Sequence, residues 1–502
     1  MLKNWKVSNF KSIYSMEAPL EFAPLTIFCG TNSSGKSSVL QSILLLQQTH
    51  LQQLQKNSKY WLPTILLNGE LTRLGKFSEI ISAARKSDKN NDKIAIAFTI
   101  NNYKTNFYDS FDINDEPSVS IESKIEFKLD HDTQERLPIV NYISITDLNC
   151  KESKIILNYQ DEHRRMGNYV VVSDNVQFID NINSYDDLSE RDLGIPFFQG
   201  DFNSFLPRIK FKKENLNESY NKNISIIHDF FSKKLYYIGP LRADPKKNSD
   251  NISLFGDMGV GYQGQYTADF YFTNKDKGVI NLNQEYLKNN NLDIKMFMED
   301  LDKYGSAAFR KGFSLEEYIS QWLEYIDVAD DITVNEEGNL KVKQGEREMG
   351  LNNVGVGVSQ VLPIIVQCFA AEPGSTIIIE QPELHLHPKM QSRLADFFLV
   401  MSLTGIQLII ETHSEYIIDK LRLRIVQAPL DKPINKKVAL YFVEKHNGAS
   451  EFKRIEINDF SVMSEWPEGF FEESMQIAND ILSAARQKEK DSGLDKEENE
   501  ND

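Results

Sequence analysis

The sequence predicts an α/β fold split between the two ends of the chain, with a β-rich region and a helical subdomain inserted between the halves. Three observations carry this expectation. An apolar strand at residues 25–29 runs into a glycine-bounded loop and then a helical pattern through Leu40, Leu44 and Leu45. From residue 358 onward apolar strand runs again alternate with helical ones. Between them, residues 94–172 carry short strands with period-2 alternation, such as 121–129 and 139–146, separated by polar Asn/Asp-rich turns.

In chain order, two strand-like segments (2–10 and 20–29) precede the loop, and the first helix extends towards Gln55. Residues 175–223 are polar and read as irregular surface. Residues 235–242, Leu-Tyr-Tyr-Ile-Gly-Pro-Leu-Arg, read as a buried strand ended by a Gly-Pro turn. Arg242 at its end is open to two readings, a surface salt bridge or a phosphate contact. Helical patterns cover 284–326, followed by a hairpin with Glu336-Glu337-Gly338-Asn339 at its turn. The expected organisation is an N-terminal lobe (1–93), a β-rich insertion (94–234), a strand with a helical subdomain and hairpin (235–345), a C-terminal lobe (346–486), and a polar, disordered acidic tail (487–502). No sustained heptads occur, so long coiled-coil arms are not expected.

Composition narrows the class. With 41% apolar and 26% charged residues the 502-residue chain resembles soluble globular proteins. No signal-peptide pattern opens it, and the most apolar stretch, 358–379, is broken by Pro363, Glu372 and Pro373, so a cytoplasmic protein with no membrane partner is expected. A net charge of -17 argues against indiscriminate nucleic-acid coating. The basic runs at 208–213, 246–247 and 422–424 stay open as DNA contacts or solvated faces. Cys29, Cys150 and Cys368 are too far apart in sequence for a CxxC site.

The chemistry concentrates in a few strings. Gly30-Thr31-Asn32-Ser33-Ser34-Gly35-Lys36-Ser37 fits the phosphate-loop pattern G-x-x-x-x-G-K-[ST], between a strand and a helix as that motif requires. Its glycines allow the tight curve, the backbone N–H groups and helix start suit phosphates, Lys36 reaches the β and γ phosphates as a solvent-facing contact, and Ser37 suits magnesium. The apolar strand at 376–379 ends in Glu380, placed to hold magnesium beside the phosphates, and continues Gln381-Pro382-Glu383-Leu384-His385-Leu386-His387. Glu383, His385 and His387 also admit a zinc-cluster reading. Another apolar strand, 406–410, ends in Glu411-Thr412-His413-Ser414, where His413 suits a γ-phosphate sensor or a structural histidine. Gly355-Val356-Gly357-Val358-Ser359-Gln360 opens an apolar helix and suits an anion.

Taken together, these strings resemble the ABC-type ATPase heads of the RecF, SMC and OLD class. The chain is most similar to compact bacterial ATPases that include and border the ATPase components of anti-phage systems such as Septu. Asn9-Phe10-Lys11-Ser12 matches the motif preceding the phosphate loop in that class, which brings Lys11 to the nucleotide. The resemblance covers roughly residues 1–80 and 235–480. It implies a split ABC-type P-loop ATPase head that takes ATP and Mg2+. It also implies nucleotide contacts from Gly30, Asn32, Ser33, Ser34, Gly35, Lys36, Ser37 and Ser38. Glu380 falls on the Walker B acidic position, His413 on the switch histidine, and Ser359 on the signature loop that meets a partner subunit's γ phosphate. Where the class has Asp-Glu, this chain has Glu380-Gln381. Glutamine cannot accept a proton near neutral pH, so Glu383 takes the general base role or hydrolysis is slow.

The implied biology is a homodimeric ATP sandwich linked to DNA and anti-phage defence. A separate nuclease effector is expected as partner, because the chain shows no HNH-like histidine cluster and no C-terminal TOPRIM pattern. Asp130-His131-Asp132 has D-x-D spacing but sits in a polar turn. The β-rich insertion and the aromatic section 466–471 are the expected contact surfaces. A nonhydrolytic ATP sensor or scaffold, and a RecF-like repair ATPase, are the alternatives. Neither Gln47 nor Gln48 fits a Q-loop, since both lie on the first helix.

Overall fold

The computed structural model describes residues 1–55, 64–82, 93–102, 119–129, 138–149, 155–160, 168–173, 206, 214–243, 259–276, 314–334, 340–350, 356–430, 433–464 and 483–484. The chain opens with strands β1 (Leu2–Phe10), β2 (Ile13–Ser15), β3 (Leu20–Glu21) and β4 (Leu25–Gly30), then helices α1 (Lys36–Gln55) and α2 (Phe77–Ile80). Strands β5 (Lys93–Asn102), β6 (Val119–Leu129), β7 (Pro138–Asp147), β8 (Ile155–Gln160) and β9 (Asn168–Ser173) follow. Next come α3 (Glu214–Asp229), a π-helical turn (Phe230–Lys234), β10 (Leu235–Ile238), α4 (Thr267–Asn274) and α5 (Leu315–Ile326). A hairpin and its third strand, β11 (Asp331–Val334), β12 (Leu340–Gln344) and β13 (Arg347–Gly350), lead to α6 (Val356–Ala370). The chain continues through β14 (Thr376–Glu380), α7 (Pro388–Leu403), β15 (Gln407–Glu411), α8 (Glu415–Gln427), β16 (Val438–His446) and β17 (Ala449–Ile455).

Six strands form the central sheet in the order β10-β14-β15-β4-β16-β17, all parallel except β17. One N-terminal strand thus sits among five from residue 235 onward, which is the split the sequence predicts. The strand residues alternate between two cores because successive side chains point to opposite faces. Ile27, Ile377, Ile379, Leu408 and Ile410 face a core shared with α5, α6, α7 and α8. Phe28, Ile378, Ile409 and Tyr441 face a second core, filled by Val39, Leu40, Ile43 and Leu44 of α1 and by an antiparallel sheet. That sheet runs β2-β1-β5-β6-β7-β8-β9, with β3 also on β1. A sheet buried on both faces explains why β4 and β14 read as unbroken apolar runs.

Several expectations change. The β-rich insertion does not stand apart from the N-terminal lobe: β5 pairs with β1 from Leu2↔Ile100 to Ser8↔Ala95, so the inserted strands continue one sheet. The side-chain amide of Gln407 bonds both the N–H and the carbonyl of Leu2, at 2.9 and 2.7 Å, tying that sheet to the parallel one. Residues 214–223, expected to be irregular, belong to α3, whose buried Ile227 comes only near its end; the polar first turns hid the helix. Among the basic runs, 422–424 is no free patch: Arg424 is buried on Asp396, with Nε 2.7 Å from the carboxylate, and Arg422 pairs with Asp419. Gln47 and Gln48 are buried and structural, donating to the carbonyls of Leu235 and Leu66. The hairpin before α6 is present as β11–β12. Its turn, Asp130-His131-Asp132, residues 208–213, 246–247, 284–313 and 466–471, Cys150, Gly355 and the acidic tail lie outside the described residues. Among the described residues no helix is long and apolar enough to cross a membrane.

Candidate functional site

The phosphate loop leaves the C-terminal end of β4, between β15 and β16, where strand order reverses and open α/β sheets bind ligands. Gly30 has φ +130°, and a Cβ there would lie 2.1 Å from the carbonyl oxygen of Val443 on β16. Gly35 has φ +110°, and its Cβ would lie 2.0 Å from the Ser450 hydroxyl and 2.8 Å from that of Ser12. Only glycine fits either place. Ser450 at the start of β17 donates to the Ser34 carbonyl at 2.5 Å, and its N–H donates to the Ser12 carbonyl at 2.7 Å. Thr31, Asn32 and Ser33 form the exposed crown of the loop, with Ser33 at φ +60°, while Ser34 and Ser38 are buried.

Lys36 was expected to face solvent, yet it is 3% exposed. Its ammonium donates to the carbonyls of Gly30 and Thr31 at 3.0 and 2.7 Å, so the loop folds around its own cation. Burial lowers its pKa, opposed by Glu411 and Glu383.

Three carboxylates gather near the ends of β14 and β15, and two of them, Glu411 and Glu383, act on this lysine. Glu380 and Glu411 are register partners at the ends of β14 and β15. The Ser37 hydroxyl donates to Glu411 Oε1 at 2.9 Å, so the carboxylate on the loop serine is Glu411 and not Glu380. Glu380 instead accepts from the Tyr237 hydroxyl at 3.3 Å. Glu383 Oε1 accepts from the His413 N–H at 2.6 Å, leaving Oε2 buried without a hydrogen-bond partner, as is Oε2 of Glu411. Burial, with Glu411 alongside, pushes Glu380 up to about 8. Burial also raises Glu383 and Glu411. Gln381 turns at φ +44° with its N–H on the Glu411 carbonyl at 2.8 Å, locking the two strand ends together.

His413 is exposed, and its ring lies beside the Gly30 backbone at the start of the loop. Burial and the Lys36 charge hold its pKa down. Lys11, at φ +52°, donates to Gln41 on α1 at 2.5 Å and feels the charge of Glu380. Ser359 lies in the first turn of α6 and is 5% exposed, so within this chain its side chain is covered. The zinc reading does not assemble: Glu383 turns to His413, while His387 caps α7 by accepting from the Lys389 N–H at 3.3 Å.

Sequence reasoning missed Glu411. The signal was available, since the rule that selected Glu380, an apolar strand ending in a carboxylate, also selects Glu411. It also missed Tyr237, and left Arg242 undecided. The Arg242 guanidinium is buried, donating to the Glu380 carbonyl at 2.8 Å and to the Gln360 side chain at 3.1 Å. Burial lowers it to about 10, so it stays charged near neutral pH.

A family model described as AAA ATPase domain matches residues 1–418. The chain belongs to this family. ATP use and a P-loop site are therefore properties of the AAA ATPase domain described here. A second model, for a protein family of unknown function, DUF3696, matches residues 435–480, which include β16 and β17 of the central sheet. No curated protein matches the chain. Among solved structures, an SMC head bound to the C-terminal winged-helix domain of ScpA is similar at 10% identity and TM-score 0.39, covering 91% of this chain and 98% of that one. The SMC head domain from Thermotoga maritima aligns at 12% identity and TM-score 0.36, covering 91% and 99%. An SMC head with an extended coiled coil from Pyrococcus furiosus, bound to the C-terminal domain of ScpA, aligns at 13% and 0.38, covering 96% and 99%.

Proposed function

We propose that this AAA ATPase domain binds ATP with Mg2+ at the phosphate loop and hydrolyses it in a sandwich of two copies, as a switch that regulates a separate effector. The observation that supports this best is the Ser37–Glu411 contact, set beside Glu380 and Glu383 at the strand ends. Ser37, Glu411 and Glu380 offer only oxygen donors, and Glu411 Oε2 is buried without a partner, which suits a hard cation such as Mg2+. The ion would neutralise charge on the β and γ phosphates.

The proposed reaction is in-line attack of water on the γ phosphorus, with ADP leaving. Glu383 is the residue suited to take the water proton: one of its oxygens is fixed by His413, and burial raises its pKa towards the working range of a general base. Lys36 and the loop N–H groups hold the phosphates, and His413 senses the γ phosphate from the start of the loop. Ser359 and the signature turn would serve the partner copy's nucleotide, which requires the covered Ser359 to open on association. The resemblance to Septu-type ATPases extends the reading to DNA-linked anti-phage defence with a nuclease effector, an extension resting on analogy.

Steady-state phosphate release by purified protein, with Lys36→Ala as the blank, tests hydrolysis. Mg2+-dependent release above the blank is expected. Release at the blank level, with ATP bound, favours the nonhydrolytic sensor, a reading that Gln381 at the usual glutamate position supports.

A further inference from the structure

We infer that Arg242 is a positioning residue that couples the first turn of α6 to the carboxylate at the end of β14. This rests on the proposed ATPase reading for its consequence, though not for its geometry. One planar guanidinium holds two elements that are otherwise separate: Nη1 donates to the side chain of Gln360, next to Ser359, and Nη2 donates to the main-chain carbonyl of Glu380. The guanidinium and its Gln360 end are shielded, with Arg242 8% and Gln360 5% exposed, so little water competes for that bond.

The surrounding segments make the bridge stiff. Arg242 leaves β10 five residues after Tyr237, whose hydroxyl holds the Glu380 carboxylate, so one short segment grips that residue by both its main chain and its side chain. The glycine-rich turn at 259–264 clamps that segment, accepting the Gly239 and Ala243 N–H groups at the carbonyls of Tyr262 and Gln263, both at 2.8 Å. The same turn packs on α6: a Cβ at Gly264 would lie 2.6 Å from Pro363, and one at Gly259 would lie 2.2 Å from the Gln367 side chain. Movement of α6 therefore has a rigid route to Glu380, through a donor fork that lysine cannot reproduce.

Function follows from the placement. A second copy docking on the α6 turn would displace Gln360, and the guanidinium would carry that shift to the backbone of Glu380 and Gln381. A shift of this kind near reacting atoms changes turnover more than affinity.

The test compares wild type with Arg242→Lys, which keeps the charge, Gln360→Ala, and the double variant. Hydrogen exchange is followed with and without ATP·Mg2+, alongside ATP affinity and phosphate release. In wild type, ATP should change protection both at the phosphate loop and at residues 356–362. In Arg242→Lys the loop response should persist and the 356–362 response should be lost, with affinity within about 3-fold and turnover down roughly 10- to 100-fold. The double variant should lose no more than Arg242→Lys alone, because both changes cut one bridge. An unchanged 356–362 response in Arg242→Lys, or additive losses in the double variant, overturns the coupling. If wild type binds ATP without hydrolysing it, the ATPase reading fails, while the exchange data still decide whether Arg242 couples the two elements.

Discussion

Replacing Glu380 by glutamine isolates the electrostatic cost of the carboxylate cluster. The folded pKa of about 8 exceeds the reference 4.5, chiefly through burial and then through Glu411. The folded state therefore binds more protons than the unfolded one between those values. The associated stability is complete below pH ~4.5 and is lost as pH rises through ~8. At 1.36 kcal/mol per pH unit the ceiling is about 5 kcal/mol; relaxation and the shared titration with Glu411 reduce the expected loss to roughly 2 kcal/mol. Glu380→Gln keeps an acceptor for Tyr237 and removes the titration. Its stability relative to wild type should rise by that amount between pH 5 and pH 8.5, read by urea denaturation at closely spaced pH values without divalent cation. Parallel pH profiles for the two proteins would show that Glu380 ionises freely in the fold. In wild type, Mg2+ binding near pH 7 should also release a proton from the cluster, visible as a buffer-dependent heat.

Other outcomes follow from particular contacts. Lys36→Ala should weaken ATP binding at least about 10-fold, the loss of a charge-assisted phosphate contact, and should also lower the melting temperature, because the buried ammonium holds the Gly30 and Thr31 carbonyls; unchanged affinity by calorimetry would remove the phosphate-loop assignment. Glu383→Gln should cut hydrolysis by roughly 10² to 10⁴, and normal turnover in that variant moves water activation elsewhere. A mixture of Lys36→Ala and Ser359→Arg chains should recover activity through one intact composite interface; verified heterodimers no more active than either variant alone would refute the sandwich. Asp396→Ala strands the buried Arg424, and also removes the acceptor for the Tyr325 hydroxyl 2.6 Å away, so a loss of about 3–5 kcal/mol is expected by denaturation.

What the sequence disclosed followed from local chemistry. The phosphate loop was legible because strand, glycines, lysine and helix are contiguous, and β14 and β15 because strands buried on both faces leave unbroken apolar runs. The hairpin β11–β12 and the strands of the antiparallel sheet were legible from period-2 alternation. Pairing was not. Nothing local says that β5 joins β1, or that β10 flanks β14, because register is set by partners far away in the chain. The same limit hid the roles of Arg242 and Tyr237, whose partners lie 138 and 143 residues away. Glu411 was hidden for another reason: β14 and β15 both end in a glutamate, and only the distant contact with Ser37 distinguishes the two.

The bracing of the phosphate loop by Ser12 and Ser450 sets an order on the making of this protein. The loop motif is complete once Ser37 has been made, but the hydroxyl that fixes the Ser34 carbonyl arrives only with β17, some four hundred residues later. β4 first gains its parallel neighbours β15 and β16, and only when β17 emerges and docks does the loop gain this last brace. Capacity for nucleotide is thus acquired late in synthesis. A fragment truncated before residue 438 should carry the motif intact and still fail to retain ATP, so that ligand binding acts as a proofreading mark for the docking of β16 and β17.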